Sequence, residues 1–330
     1  MIISRTPFRI SFFGGGTDYP IWYKDNKGAV LAVTIDKYCY ITARYLPPFF
    51  DYNYRVRYTT REETKNISQI KHPSVRECLS FLDFKRGVEI QHNGDLPARI
   101  GVGSSSAFTV GLLHALYALQ GKMVTKRQLA LNAINVEQEQ IKENVGSQDQ
   151  TSAAFGGLNR IDFDSEHTFQ VKPITLNSKK VKNFQDHLML FFTGFARTAS
   201  EIAGEQIKKI PKKVKELQRI YEMVDEATNI LNGNSSDITD FGRLLHETWL
   251  IKRNLTNKIT TPAIDKIYNN ALKAGAIGGK LLGAGGGGCI LFFAEPEKQD
   301  KIKEKLKNLL HVPFRFENLG SQIIYYTAGE

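Results

Sequence analysis

The chain has 330 residues, of which 42% are hydrophobic and 24% charged, enough for two ordinary domains with buried cores. Its net charge of +10 favours anionic partners, while Cys39, Cys78 and Cys289 are unpatterned and suggest neither a disulfide framework nor a zinc site. No apolar run approaches the roughly 20 residues of a membrane span, and the start of the chain lacks the apolar core of a signal peptide, so a cytoplasmic protein without a membrane partner is expected.

Residues 2–5, 9–13 and 38–43 alternate like strands. Between the last two lies Gly14-Gly15-Gly16-Thr17-Asp18-Tyr19-Pro20. Three consecutive glycines weaken ordered backbone unless something must approach it closely. Asp18, next to Thr17, is suited to accept hydrogen bonds from sugar hydroxyls; an Asx turn ahead of Pro20 is the competing reading. Residues 52–60 alternate and put Arg55 and Arg57 on one strand face, and a helix is expected from His72-Pro73 through Leu82.

The stretch that organises the chain is Pro97-Ala98-Arg99-Ile100-Gly101-Val102-Gly103-Ser104-Ser105-Ser106-Ala107. It follows a strand at 87–91 and precedes a helix at 108–119, with apolar Phe108, Leu112, Leu116 and Leu119 on one face and small Ala107, Gly111, Ala115 and Ala118 on another. Backbone N–H groups and the positive end of the macrodipole lie at the start of such a helix. Gly101 and Gly103 allow an anion to approach, and the serines add donors or magnesium-binding oxygens, which together describe a phosphate cradle. The Walker lysine is absent. The loop by itself is equally an N-cap serine after a glycine turn.

Gly121 is a plausible stop for that helix, and Thr125 and Gln128 fit a capping box opening the next. Its apolar stripe runs Ala130, Ile134, Glu137, Ile141, so Glu137 falls on the buried face with no Lys or Arg three or four residues away. A magnesium ion shared with a cradle serine would supply the missing cation and is the preferred reading; a position at the stripe's edge near water is the other. Asp149, in Gly146-Ser147-Gln148-Asp149-Gln150, is either an N-cap or an acid able to take a proton from a hydroxyl. A composition shift at about residues 175–185 divides the chain into 1–180 and 181–330. Beyond it come a strand at 187–192 and helices at 199–231 (broken near Pro211), 237–253 and 262–274. A second glycine loop at 278–288 leads into a strand at 289–293, then a helix at 297–310 and a last strand at 323–326. Lys208, Lys209, Lys212, Lys213 and Lys215 have no interleaved aromatics and read as a solvated helix face, not a nucleic-acid surface.

Together, residues 97–107, Glu137 with 146–150, and 280–288 resemble the three motifs of the GHMP small-molecule kinases, and Pro7 to Tyr19 resembles that family's first motif. The resemblance implies an α+β protein of two domains, the first like domain 2 of ribosomal protein S5 and the second ferredoxin-like, with the site between them. It implies ATP and Mg²⁺. Carried onto this chain, Ser105 and Glu137 would ligate Mg²⁺, Asp149 would be the catalytic base and Arg9 the cation beside it. Gly101, Val102, Gly103, Ser104, Ser105 and Ser106 would hold the triphosphate; Gly15, Gly16, Thr17, Asp18, Gly285 and Gly286 would shape the acceptor pocket.

Within the family, the Gly-Gly-Gly-Thr-Asp phrase and residues 278–288 resemble the D-glycero-D-manno-heptose 7-phosphate kinases, and L-fucokinase-type enzymes share part of the pattern. The implied reaction is phosphorylation of the anomeric hydroxyl to give the 1,7-bisphosphate for nucleotide-activated heptose and capsule or lipopolysaccharide synthesis. A different sugar kinase, or a non-catalytic sensor on the same fold, are the alternatives. Galactokinases carry Glu and His where this chain has Gly15 and Gly16, so the pocket here should be wider and less negative, with Arg44, Arg55 and Arg57 as candidates for the 7-phosphate.

Overall fold

The first two strands are longer than the alternation suggests. The computed structural model describes residues 1–165, 168–194, 199–233 and 237–327. In it β1 (Ile2–Phe13) and β2 (Gly28–Tyr45) form one long antiparallel pair. The apparent gap at Thr6-Pro7-Phe8 is a register shift after Pro7, a site where a residue lacking an N–H is tolerated within a strand. Around this pair are β3 (Tyr54–Arg57), β4 (Arg61–Thr64), β5 (Val88–Gly94), β6 (Leu158–Phe163) and β7 (Phe169–Pro173). The pairing of β3 with β5 is parallel.

The second sheet contains β8 (Leu188–Phe192), β9 (Gly278–Leu281), β10 (Cys289–Phe293) and β11 (Leu310–His311), in the order β11-β8-β10-β9 with every pair antiparallel. With helices between its first and second strands and between its third and fourth, this is the βαββαβ arrangement of ferredoxin-like folds. The chain then returns: β12 (Phe316–Glu317) pairs with β2, and β13 (Gln322–Tyr326) with β1.

The helices are α1 (Pro20–Tyr23), α2 (Pro73–Phe81), α3 (Ser104–Leu119), α4 (Lys126–Asn135), α5 (Gln148–Phe155), α6 (Ser178–Asp186), α7 (Ala199–Lys209), α8 (Val214–Asn232), α9 (Thr239–Arg253), α10 (Pro262–Ala274) and α11 (Gln299–Lys305). The expected helix at 297–310 is shorter because its end becomes β11. The expected loop at 278–288 contributes its first four residues to β9, since they hydrogen-bond along β10. Only half of the expected capping box forms: Thr125 accepts from the Gln128 N–H at 3.2 Å, but the Gln128 amide turns forward to Asn132. None of the described helices is long and apolar enough to cross a membrane.

Helix α3 is buried on both of its predicted faces. Its small face fits closely over β1, where Ser4 donates to the Gly111 carbonyl at 2.8 Å. The sheets are joined by an aromatic cluster of Phe12, Phe184, Phe241 and Phe293, with Phe12 5.4 Å from both Phe184 and Phe241 between ring centroids. Burying each ring contributes about 1.5–3 kcal/mol, so the walls of the site described next rest on a well-anchored seam.

Candidate active site

Gly103, at φ +74°, is the N-cap of α3 and has no side chain to cap it, which leaves the first-turn N–H groups of Ser104, Ser105 and Ser106 without a side-chain partner from that position. Gly101, at φ +86°, lies where a Cβ would come within 2.7 Å of the Leu282 carbonyl oxygen. The cradle therefore packs backbone to backbone on the second glycine loop, a contact continued where the Cys289 N–H donates to the Ile100 carbonyl at 2.8 Å. Close approach between two chain segments is what these glycines permit.

Arg9, on β1, points beneath the cradle. Its Nε and Nη2 donate to the two carboxylate oxygens of Asp149 at 2.8 and 2.7 Å, and its Nη1 donates to the Gly101 carbonyl at 2.7 Å. This planar fork ties the base candidate, the cradle and the first strand into one unit. Asp149 lies in the first turn of α5, with Ser147 in the N-cap position, so the two readings of Asp149 resolve toward a carboxylate facing Arg9. Gly103 sits directly over the pair: a Cβ there would be 3.2 Å from Arg9 Cγ and 3.4 Å from an Asp149 oxygen.

Asp18 is buried and accepts from the Gly16 N–H at 2.9 Å, while its own carbonyl accepts from the Ser147 N–H at 2.9 Å. Burial, assisted by the nearby Asp149 charge, raises its carboxyl pKa. Thr17 turns inward and braces the glycine turn through the Gly14 and Ala29 carbonyls at 2.8 and 2.9 Å.

Glu137 is completely buried, which removes the solvent-edge reading. It lies in a π-helical turn, Val136–Gln140, that extends α4, a local widening common at functional sites. One carboxylate oxygen accepts from Ser106 Oγ at 2.8 Å and from the Gln150 amide; the other makes no hydrogen bond of ordinary geometry, although the nearby Thr109 hydroxyl favours the charged carboxylate. Burial pushes its pKa up to about 7. An orphaned buried oxygen beside a cradle of hydroxyls fits a hard divalent cation that takes its remaining ligands from phosphates and water. The serine against Glu137 is Ser106; Ser105 is exposed and lines the cavity.

Most of these groups surround a cavity of about 1010 Å³; Glu137 lies behind its wall, in contact with the wall residue Ser106. Arg9, Gly15, Gly16, Asp18, Gly101, Gly103, the three serines and Asp149 all contribute to its wall. Several expected site residues do not. Val102 and Thr17 are fully buried, with the Val102 carbonyl accepting from the Arg9 N–H at 3.0 Å. Gly285 and Gly286 pack on Ile259, to whose carbonyl the Gly286 N–H donates at 2.9 Å; Gly283 and Ala284 take the places on the wall. Arg44, Arg55 and Arg57 are also elsewhere, gathered on Glu89 at 2.6, 3.2 and 3.8 Å, because that carboxylate projects from β5 between them.

The cavity also contains residues that the sequence did not mark. Tyr58, His72, His92 and Phe108 pack against one another on its wall and offer a stacking surface suited to a flat heterocycle. Also on the wall, Lys252 donates to the Leu281 and Gly283 carbonyls at 3.0 and 2.6 Å, and Lys280 to the Phe12 carbonyl at 2.7 Å. A signal for Lys252 existed: it follows Leu245 and Trp249 at helical spacing on the buried face of α9, as Glu137 does on its own stripe.

Models of the GHMP kinase N-terminal domain and of the GHMP kinase C-terminal region match residues 71–157 and 223–312, together more than half of the chain. The chain belongs to the GHMP kinase family. It is accordingly an ATP-dependent kinase of that family. Among curated relatives, it is 25% identical over 316 residues to the D-glycero-alpha-D-manno-heptose 7-phosphate kinase of Campylobacter jejuni, covering 93% of each chain. It is 25% identical to a galactokinase of Pyrococcus furiosus, covering 92% of each. The crystal structure of a D-glycero-D-manno-heptose 1-phosphate kinase from Bacteriodes thetaiotaomicron superposes with a TM-score of 0.81 at 21% identity, over 99% of this chain and 100% of that one. The superposition shows that this chain and that structure share a fold.

Proposed function

We propose that the protein is a sugar kinase that transfers the γ-phosphoryl group of ATP to the anomeric hydroxyl of D-glycero-D-manno-heptose 7-phosphate, giving the 1,7-bisphosphate. The observation that carries this reading is the Arg9–Asp149 fork, held under a phosphate cradle and in one cavity with Asp18. The heptose assignment draws on the Campylobacter relative and on the open space above Gly15, where a Cβ would meet only the Gln148 amide, at 3.8 Å.

Phosphoryl transfer passes through a loose transition state, so positioning and charge neutralisation are the protein's main tasks. The α3 N-terminus and the Ser104 and Ser105 hydroxyls hold the triphosphate against Gly101 and Gly103. The Tyr58, His72 and Phe108 surface receives the base. Asp18 accepts hydrogen bonds from acceptor hydroxyls and fixes which one faces Asp149. Asp149 orients the anomeric hydroxyl and takes its proton, while Arg9 holds the carboxylate in place and faces the charge that develops. Glu137, with Ser106 against it, and Ser105 on the cavity wall are the residues that would hold Mg²⁺, which when bound neutralises the phosphate oxygens. A cytoplasmic role, supplying activated heptose for surface polysaccharide, follows from the same reading.

ADP release with ATP and Mg²⁺ across heptose 7-phosphate, free heptose, mannose, fucose, galactose and mevalonate tests the assignment. Selective turnover of heptose 7-phosphate, with an anomeric phosphate by phosphorus NMR, is expected. Preference for a neutral sugar or for mevalonate overturns it.

A further inference from the structure

The residues first expected to meet an acceptor phosphate are spent on Glu89, which leaves the cationic part of the cavity wall to be explained. Two lysines stand there. Lys252 and Lys280 are 6% and 3% exposed, yet both form part of the cavity wall. Neither has an acidic partner within ion-pair distance among the described residues; both donate only to backbone carbonyls. An ammonium has three donors. Lys252 uses two and Lys280 one, so three N–H bonds remain for a ligand.

Beside them, Ser11 lies two residues from Arg9 on β1, hence on the same strand face. Its hydroxyl is buried, lines the cavity and has no hydrogen-bond partner. Phe12, whose carbonyl anchors Lys280, is the next residue.

A buried cation without a counter-ion is costly, so two such amines are pushed toward their neutral forms until a bound anion supplies the opposite charge. The nucleotide is an unsuitable source, because its phosphates belong at the α3 N-terminus with the serines. The lysines are carried by α9 and β9 and share the cavity wall with Asp18, Gly15 and Gly16, and the Asp18 charge acts on both amines. We propose that Lys252, Lys280 and Ser11 form the subsite for the phosphate group of a phosphorylated acceptor, making them the residues that select a sugar phosphate over the free sugar. This rests on the kinase reading above and extends it to the acceptor's second charge.

The electrostatics support the geometry. Burial lowers the Lys252 pKa to about 7, with Arg9 adding to the effect and Asp18 opposing it, and burial holds Lys280 well below the usual amine range. The charged groups acting on the two amines are Arg9 from β1, Asp18 from the glycine turn and, on Lys280, the Lys252 amine; Tyr19 and Asp149 are further titratable groups of the same cavity wall. At pH 8 Lys252 is mostly neutral, so a phosphate dianion should draw a proton onto it as it binds.

Calorimetry on the full chain, with the cradle filled by a non-hydrolysable ATP analogue and Mg²⁺, tests this. Heptose 7-phosphate, free heptose and inorganic phosphate are the probes. Lys252→Met and Ser11→Ala should weaken heptose 7-phosphate binding by about 10- to 100-fold, the range for a hydrogen bond to a charged group. Free heptose and nucleotide affinities should be unchanged. Titrations of the wild type at pH 8 in buffers of different ionisation enthalpy should show proton uptake, which needs no variant to fold and is lost in Lys252→Met. Equal losses for heptose and its phosphate, or binding of the phosphate without proton uptake, would overturn the subsite. A wild type that ignores heptose 7-phosphate but binds inorganic phosphate in a Lys252-dependent manner keeps the anion site and removes the heptose reading. Failure to bind either anion removes the subsite itself.

Discussion

Replacing Asp149 by Asn removes one charge and keeps the side-chain shape, so its effects on folding and on turnover should separate. In the native fork, Arg9 donates to both carboxylate oxygens, and the two side chains are 5% and 15% exposed. The amide can accept one of those bonds, but its NH₂ group faces a guanidinium N–H. The loss is one charge-assisted hydrogen bond, about 1.5–3 kcal/mol. Arg9 retains its bond to the Gly101 carbonyl, so the cradle stays tied to β1 and the variant should fold with a melting temperature lowered by several degrees. Turnover should fall further: a positioned proton acceptor is worth about 10²- to 10⁴-fold. KM for ATP should stay close to wild type, since the cradle does not depend on the carboxylate. Coupled ADP release and differential scanning fluorimetry measure the two effects. A folded Asp149→Asn enzyme with kcat near wild type would show that Asp149 only braces Arg9, and the base assignment would fall.

Gly103→Ala places a Cβ at positive φ and against the Arg9–Asp149 pair; a strain of about 1–3 kcal/mol is expected, together with a raised KM for ATP. An unchanged KM would argue against the cradle. Gly15→Ala should be nearly neutral because the space is open, whereas Gly15→Glu should abolish use of a phosphorylated acceptor and leave nucleotide binding intact, as equilibrium binding of each ligand would show. Glu137→Gln should raise the Mg²⁺ concentration needed for half-maximal activity, and an unchanged metal dependence would remove Glu137 from the ligand set. The Lys252 amine has a folded-state pKa of about 7, below its unfolded value of 10.5. Between these values the unfolded chain binds the extra proton, so wild-type stability should rise with pH from 7 to 10 relative to Lys252→Met. Parallel melting curves for the two proteins would refute the buried-amine account.

The proposed nucleotide side of the site was readable because its chemistry is local. A glycine-rich turn running into a helix N-terminus exposes the same N–H groups whatever surrounds it, so the turn at Gly101 to Ser106 stood out, although Val102 faces the core. Glu137 was readable for a related reason: a carboxylate at helical spacing on an apolar stripe contradicts its neighbours. The same rule applied to α9 would have picked out Lys252 after Leu245 and Trp249.

Other features depended on partners distant in sequence. Residues 278–281 looked like loop until β10 supplied their hydrogen bonds, and Gly285 and Gly286 looked like ligand-facing glycines until Ile259 was found against them. Arg44, Arg55 and Arg57 read as a phosphate site because a sequence shows positive charge but not the Glu89 carboxylate that neutralises it. The return of β12 and β13 to the first sheet left no local trace, since a strand's alternation states which face is buried and not which edge it joins. By itself, then, the sequence marked most of the longer strands and helices, the glycine turn that opens α3 and the family, all set by short-range geometry and residue chemistry. Only the tertiary structure decided which charges are spent on one another and which, like those of Lys252 and Lys280, are left facing the cavity, because pairing over long separations is a property of packing.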